Sequence, residues 1–264
     1  MENNKDNYKS QIMMRREVMK SFSDTDMEII SDQAAGLPQP PMDKQCKGSK
    51  IIPLAKDFNN IIVNNDFLNL INTRTSKRKY SDEYLSLDEL SFLLWSTQGV
   101  KDIIGRQRKA TLRTVPSAGA RHPFETYLFI NRVEGLEPGL YHYLALEHKL
   151  ELIKTIEDQA DRVTKAFGGQ AFFGNAPVGF VWTVIPYRTE WRYTLDAQKY
   201  ALLDIGHVCQ NLYLSCEAIG CGACAIGAYD QKLADSLLGL NSEPSCDNDH
   251  EFVIYAAAVG KVEK

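Results

Sequence analysis

The sequence predicts an α+β fold, and three features carry that prediction. Residues 125–130, 139–144 and 149–153 are rich in strand-forming side chains and follow one another at hairpin-like spacing, which reads as an antiparallel meander. Further along, Leu202, Ile205, Cys209, Leu212, Cys216 and Ile219 repeat at alternating spacings of three and four. One long helix therefore carries an apolar seam over five turns, and it is either central or paired with another chain. Strands and helices also mix along the chain without the βαβ rhythm of a doubly wound sheet.

Composition bounds the rest. The chain has 264 residues, 44% of them apolar, enough to fill a real core and incompatible with global disorder. Thirty basic against 34 acidic side chains leave a net charge of −4, which argues against a polybasic nucleic-acid binder. The six cysteines are too sparse for a disulfide scaffold and fit reduced thiols in a cytosol. The first thirty residues place charge in every turn, unlike a signal peptide, and no apolar window approaches the length of a membrane span. A soluble, cytoplasmic protein without membrane contact is expected.

Residues 1–55 read as an N-terminal arm or linker, because Pro38, Pro40 and Pro41 force extended backbone amid charged residues. Residues 56–264 read as the compact domain. Its first helix places Phe67, Leu68 and Ile71 on one face and runs into the basic stretch Arg74 to Arg78. Residues 86–98 form the clearest local helix: Ser86 and Glu89 make a capping box, Leu87, Leu90, Leu93 and Leu94 share a face, and Gly99 ends it. Residues 101–120 read as a loop. After the meander come a helix over 156–167, a buried strand over 178–185, the long helix, a segment over 223–229, a helix over 231–238 and a final strand over 252–259.

Three constellations could carry chemistry. Arg74, Thr75, Ser76 and Arg78 put two guanidiniums and two hydroxyls within five residues, donors that suit a phosphate; a solvated basic turn is the alternative. The segment Arg113-Thr-Val-Pro-Ser-Ala-Gly-Ala120 offers backbone polar groups to the edge of a planar ring, or else forms a tight turn. Gly220-Cys-Gly-Ala-Cys-Ala-Ile-Gly227 lets backbone approach a ligand or a neighbouring helix closely. It contains Cys221 and Cys224, a C-x-x-C that is either a redox dithiol or a pair of buried small side chains. With no second cysteine pair and no paired-histidine motif, a metal site is not expected. His207 reads as a satisfied core histidine. Dinucleotide, P-loop and hydrolase-elbow signatures are missing.

In order, these pieces resemble the FMN-dependent nitroreductase family, and within it the SagB/ThcOx-type branch of azoline dehydrogenases. The landmarks are Arg74-Thr-Ser-Lys-Arg-Lys-Tyr80, Leu90-Ser-Phe-Leu-Leu-Trp-Ser-Thr-Gln-Gly99, Arg113-Thr-Val-Pro-Ser-Ala-Gly119, Gly139-Leu-Tyr-His-Tyr143, Leu203-Asp-Ile-Gly-His207 and Ala258-Val-Gly-Lys261. The resemblance implies a central, mainly antiparallel sheet flanked by helices, with the long helix at a homodimer interface and FMN bound there. It implies that Arg74, Thr75, Ser76 and Arg78 hold the phosphate with Gly260 and Lys261. Pro116, Ser117, Ala118 and Gly119 would meet the pyrimidine edge, and Ala225, Ile226 and Gly227 would lie beside N5. Ala120 stands where many relatives carry asparagine. The branch's Lys-Tyr pair falls on Arg192-Tyr193, and an arginine cannot serve as a base at ordinary pH. Lys199-Tyr200 lies nearby, but Tyr193 with Arg192 is the better catalytic candidate.

The implied activity is hydride transfer through the flavin, on a small molecule with NAD(P)H as donor or on a modified peptide. Two alternatives are a structural flavoprotein subunit of a peptide-maturation complex, suggested by the proline-rich arm, and a flavin-free scaffold.

Overall fold

A computed structural model describes residues 2–21, 29–46, 48, 50–106 and 109–262. Helix α1 (Glu2–Glu17) precedes strand β1 (Lys50–Pro53), and α2 (Phe67–Thr73) and α3 (Leu87–Gln98) follow. The hairpin β2 (Val100–Ile104) and β3 (Ala110–Arg113) leads into the meander β4 (Phe124–Ile130), β5 (Gly139–Leu144) and β6 (Lys149–Lys154). Next come α4 (Gln159–Ala166), α5 (Ala171–Gly174), β7 (Val178–Val184), α6 (Tyr187–Tyr193) and the long α7 (Ala197–Ala218). The chain closes with β8 (Cys221–Ile226), α8 (Gln231–Leu238) and β9 (Phe252–Lys261).

Seven strands form one sheet in the order β1-β6-β5-β4-β7-β9-β8, every neighbouring pair antiparallel. Strands β4 and β7 are buried along their whole length, because both faces of the sheet are covered. On one face, α3 and α7 pack Leu90, Leu93, Leu94, Ile205, Leu212 and Cys216 against the sheet. On the other, α4, α5 and α8 contribute Val163, Phe173, Ala234 and Leu237. The architecture is thus the mainly antiparallel, helix-flanked sheet expected from the sequence.

Local signals account for several boundaries. The Ser86 hydroxyl accepts from the Glu89 N–H while the Glu89 carboxylate accepts from the Ser86 N–H, completing the capping box of α3. Asp230 caps α8 through the Leu233 N–H, and Gly239, at φ +78°, closes it in a left-handed turn.

Other expectations need correction. Residues 101–120 are not one loop, since most of β2 and β3 lies there. In the first helix Leu70 is the buried residue, whereas Phe67, Leu68 and Ile71 are exposed. Leu202 leaves the buried seam of α7 at 55% exposure, and His207 lies on the same open face instead of in the core. The two helix corrections share a physical reason: α2 and α7 each carry apolar residues on more than one face, and only the face turned to the rest of the fold is buried within this chain.

The stretch read as an arm contributes β1, which pairs with β6 at the sheet edge. Residues just before it bind the domain as well. The Lys44 ammonium donates to Glu251 (2.5 Å) and to the Tyr127 hydroxyl (2.8 Å), and the Gly48 N–H donates to Glu151 (2.6 Å).

Candidate functional site

The basic turn after α2 is drawn against β8 by backbone. Ser76 bridges Ala223, and the Lys77 N–H donates to the Ala223 carbonyl (2.9 Å). Tyr213, on α7, then ties this turn to the strand. Its hydroxyl accepts from the Ala225 N–H (2.8 Å) and lies 3.0 Å from the Ser76 hydroxyl. The Arg74 guanidinium stacks over the Tyr213 ring at 5.2 Å, and Arg78 over Phe172 at 5.9 Å. Among the described residues, neither guanidinium is paired with a carboxylate. Arg74, Ser76 and Arg78 therefore present donors with no internal anion, while Thr75 beside them is exposed. Such a set suits a phosphate.

Ala225 and Ile226 end β8, with Gly227 exposed just past it. A side chain at Gly227 would meet only Tyr255, at 3.8 Å, so the space beside this strand end is open. Gly260 and Lys261 behave differently. A Cβ at Gly260 would fall 2.7 Å from both Pro177 and the Tyr80 ring, so this glycine is needed for packing. Lys261 forms an ion pair with Glu89. Burial works against its charge, but the Glu89 carboxylate holds the ammonium above its ordinary value.

The Pro116–Gly119 loop is held from the other end of α7. The Ser117 hydroxyl donates to Asp204 at 2.6 Å, and the Ala118 N–H donates to the same carboxylate at 3.0 Å. Burial raises the Asp204 carboxyl, an effect these two donors oppose. Gly119, Ala120 and His122 all have positive φ (54°, 53° and 46°), so the loop is a tight left-handed corner. At Gly119 an added Cβ would meet the Tyr193 hydroxyl at 2.6 Å and Arg192 at 3.0 Å. A larger residue there would have to displace these two side chain ends, and the contact brings the loop together with both catalytic candidates. The Tyr193 ring packs edge-on against Tyr200 at 4.8 Å, and Arg192 is exposed.

Two residues that sequence reasoning missed organise these groups. Asp204 left a faint signal, a carboxylate on an otherwise apolar helix face; Tyr213 left none. Nine residues separate them, about 14 Å along the helix and half a turn around it. The phosphate-type donors and the Gly119 corner are thus attached to opposite sides of α7 within one protomer.

Cys221 and Cys224 lie three residues apart on β8, so their side chains point to opposite faces and cannot bridge. Both are buried, and burial pushes Cys221 up to about 12 and raises Cys224. They are packing residues. Among the described residues no group of three metal-ligating side chains is placed to hold a metal ion, and no helix is long and apolar enough to cross a membrane.

The family described as "Nitroreductase family" matches residues 71–261. Protein MJ1384 of Methanocaldococcus jannaschii is 34% identical over 165 residues, covering 62% of this chain and 80% of that protein. Trifolitoxin-processing protein TfxB of Rhizobium leguminosarum bv. trifolii is 27% identical over 164 residues, 60% of this chain but only 44% of the relative. Among solved structures, a chain of the Escherichia coli microcin synthetase McbBCD complex with truncated pro-MccB17 shares the fold. Its TM-score is 0.57 at 22% identity, covering 74% of this chain and 73% of that one.

Proposed function

This chain belongs to the nitroreductase family of oxidoreductases, and from that premise we propose that it is an FMN-dependent enzyme working as a homodimer. FMN, when bound, supplies a two-electron hydride acceptor and donor at N5. The observation that carries the reading is the pair of unpartnered guanidiniums, Arg74 and Arg78, stacked on aromatic rings beside Ser76. They would hold the ribityl phosphate, with Thr75 at the exposed rim. Lys261 lends charge to that anion only by sharing itself with Glu89, and Gly260 acts by letting β9 pass close to Tyr80.

A second copy supports the site in a way one protomer does not. The donors near Tyr213 and the Pro116–Gly119 corner leave α7 on opposite sides, so one flavin meets both kinds of group when two copies pair across this helix. The exposed face of α7 and α2, with Leu202, Leu203, Phe67 and Leu68, suits that contact. Pro116, Ser117, Ala118 and Gly119 would then present backbone groups to the ring's polar edge, and Ala225, Ile226 and Gly227 would line N5. Tyr193, held at the same corner, is the group to donate or accept a proton. Arg192, permanently charged, would bind and orient an anionic or carbonyl group of the substrate.

With arginine at position 192, NAD(P)H-driven reduction of a small acceptor is the leading reaction. Oxidation of a heterocyclised peptide is the second reading, motivated by the similarity to TfxB. The cofactor part is tested by replacing Arg74 and Arg78 together with alanine. The expected result is loss of bound flavin with the fold intact by circular dichroism; unchanged flavin content would refute the phosphate assignment. Turnover of a nitroaromatic with NAD(P)H, set against a thiazoline-containing peptide, decides between the two reactions.

A further inference from the structure

We infer that Arg121 and Arg192, both held at Gly119, form an anion site beside the Tyr193 hydroxyl, and that this site takes the carboxylate of a small acceptor. The inference rests on the functional reading above and names the substrate class of that corner, an acceptor with an anionic group close to the group that is reduced. The Arg121 Nε–H donates to the Gly119 carbonyl at 3.1 Å and one Nη to the Lys109 carbonyl at 3.3 Å, while the guanidinium stacks on Trp191 at 5.3 Å. Arg121 is thereby fixed and nearly buried, with two of its five N–H groups spent. Arg192 follows Trp191 in the chain and is exposed. Its Cδ and Nε pass 3.0 Å from where a Cβ of the same glycine would fall, and its guanidinium lies over the Tyr193 ring at 5.4 Å.

Like charges meet at this corner without an acid to balance them. Among the described residues neither guanidinium is paired with a carboxylate, whereas Arg188, one turn earlier on α6, has Glu125 at 2.5 Å. Asp204, the carboxylate bonded to the loop, is taken up by Ser117 and Ala118. Burial and the charge of Arg192 both push the Arg121 guanidinium below its ordinary value. An oxyanion between the two removes that repulsion and meets planar donor forks that match a carboxylate. The Tyr193 hydroxyl lies 2.6 Å from the same point at Gly119, so the anion and the group that exchanges a proton sit close together, as they do in one small acceptor. The 2′-phosphate of a dinucleotide donor stands a nucleotide's length from its nicotinamide and does not meet that condition. All of these groups belong to the corner of one protomer, so the site is the same whichever copy supplies the end of β8.

The test is ligand-observed NMR on the purified full chain with 4-nitrobenzoate and its neutral counterpart 4-nitrobenzyl alcohol, with bound flavin measured in the same samples. The wild type is expected to bind the carboxylate about tenfold or more tightly than the alcohol, as one charge-assisted hydrogen bond supplies. Arg192→Gln and Arg121→Gln should each cut that ratio about fivefold or more, and Arg121→Lys should recover part of what Arg121→Gln loses. A loosened corner would weaken both probes together and leave the ratio alone, so the ratio separates lost charge from lost structure. Arg192→Gln, at an exposed position, decides the matter if Arg121→Gln does not fold. Equal binding of the two probes by the wild type, or a ratio indifferent to Arg192→Gln, overturns the inference. So does a loss of affinity for NADPH relative to NADH with the probe ratio unchanged, which would assign the arginines to the donor's 2′-phosphate. If the probes respond as stated but no flavin is present, the anion site stands and the cofactor reading falls.

Discussion

At the scale of single residues, the Gly119 corner concentrates the chemistry and the strain. Ala120 sits at φ +53°, a conformation costing an L-residue with a Cβ roughly 1–2 kcal/mol and tolerated better by asparagine. Ala120→Asn should therefore raise stability by up to about 1 kcal/mol, read from urea unfolding; a destabilised variant would mean the side chain cannot be housed there. Tyr193 contacts the corner through its hydroxyl, so Tyr193→Phe should lower turnover by about 100-fold or more while leaving flavin content unchanged. Equal turnover would assign the tyrosine to packing. These residues were partly legible in the sequence, because Pro-Ser-Ala-Gly and Arg-Tyr are chemically marked. Asp204 was legible only as a carboxylate on an apolar helix face and Tyr213 not at all, since the bonds that give them their roles join segments far apart along the chain.

Elements were legible where the signal was local. The capping box of α3, the long periodic seam of α7 and the strand-forming residues of β5 each mark their own structure. The hairpin β2–β3 was hidden because Lys101 and Asp102 interrupt its apolar pattern. Helix α6 was hidden because it is short and is stabilised from outside. The Gln33 N–H donates to the Trp191 carbonyl (2.8 Å), the Trp191 indole donates to the Leu37 carbonyl (3.2 Å), and Tyr187 donates to Asp32 (2.8 Å). Residues 32–37 therefore brace the helix carrying Arg192 and Tyr193. Asp32→Ala should reduce turnover severalfold with flavin retained, as followed by kinetics and absorbance; no change would make the brace redundant. Across β4, β5 and β6, buried His142 lies between Glu125 (2.9 Å) and Glu151 (2.8 Å). Burial alone would lower its pKa, but the two carboxylates raise it to about 9. A group raised above its ordinary 6.5 contributes stability fully below that value and loses it as pH rises through about 9. Unfolding free energy should thus fall over pH 6.5 to 9. His142→Gln should cost about 3 kcal/mol at neutral pH and flatten that decline; an unchanged profile would show that the ring is uncharged.

At the scale of the whole molecule, the sheet order and the two buried layers explain why the fold was readable as a class while its open surface was not. Apolar periodicity marks a helix as having a partner but does not say whether that partner lies in the same chain. On α7, Ile205, Cys209, Leu212 and Cys216 face the sheet, whereas Leu202, Leu203, Gly206 and His207 face outward. If that outward face joins two copies and completes the cofactor site, Leu203→Glu should yield monomers by light scattering and lose flavin in the same step. A monomeric variant retaining its flavin would place the whole site within one protomer. The central claim, that this chain is a flavoprotein, is met most directly by the visible absorption spectrum of the freshly purified protein, followed by chromatography of the released chromophore against FMN and FAD. The account predicts a two-band flavin spectrum and about one FMN per chain. A colourless protein that takes up no added FMN would contradict it.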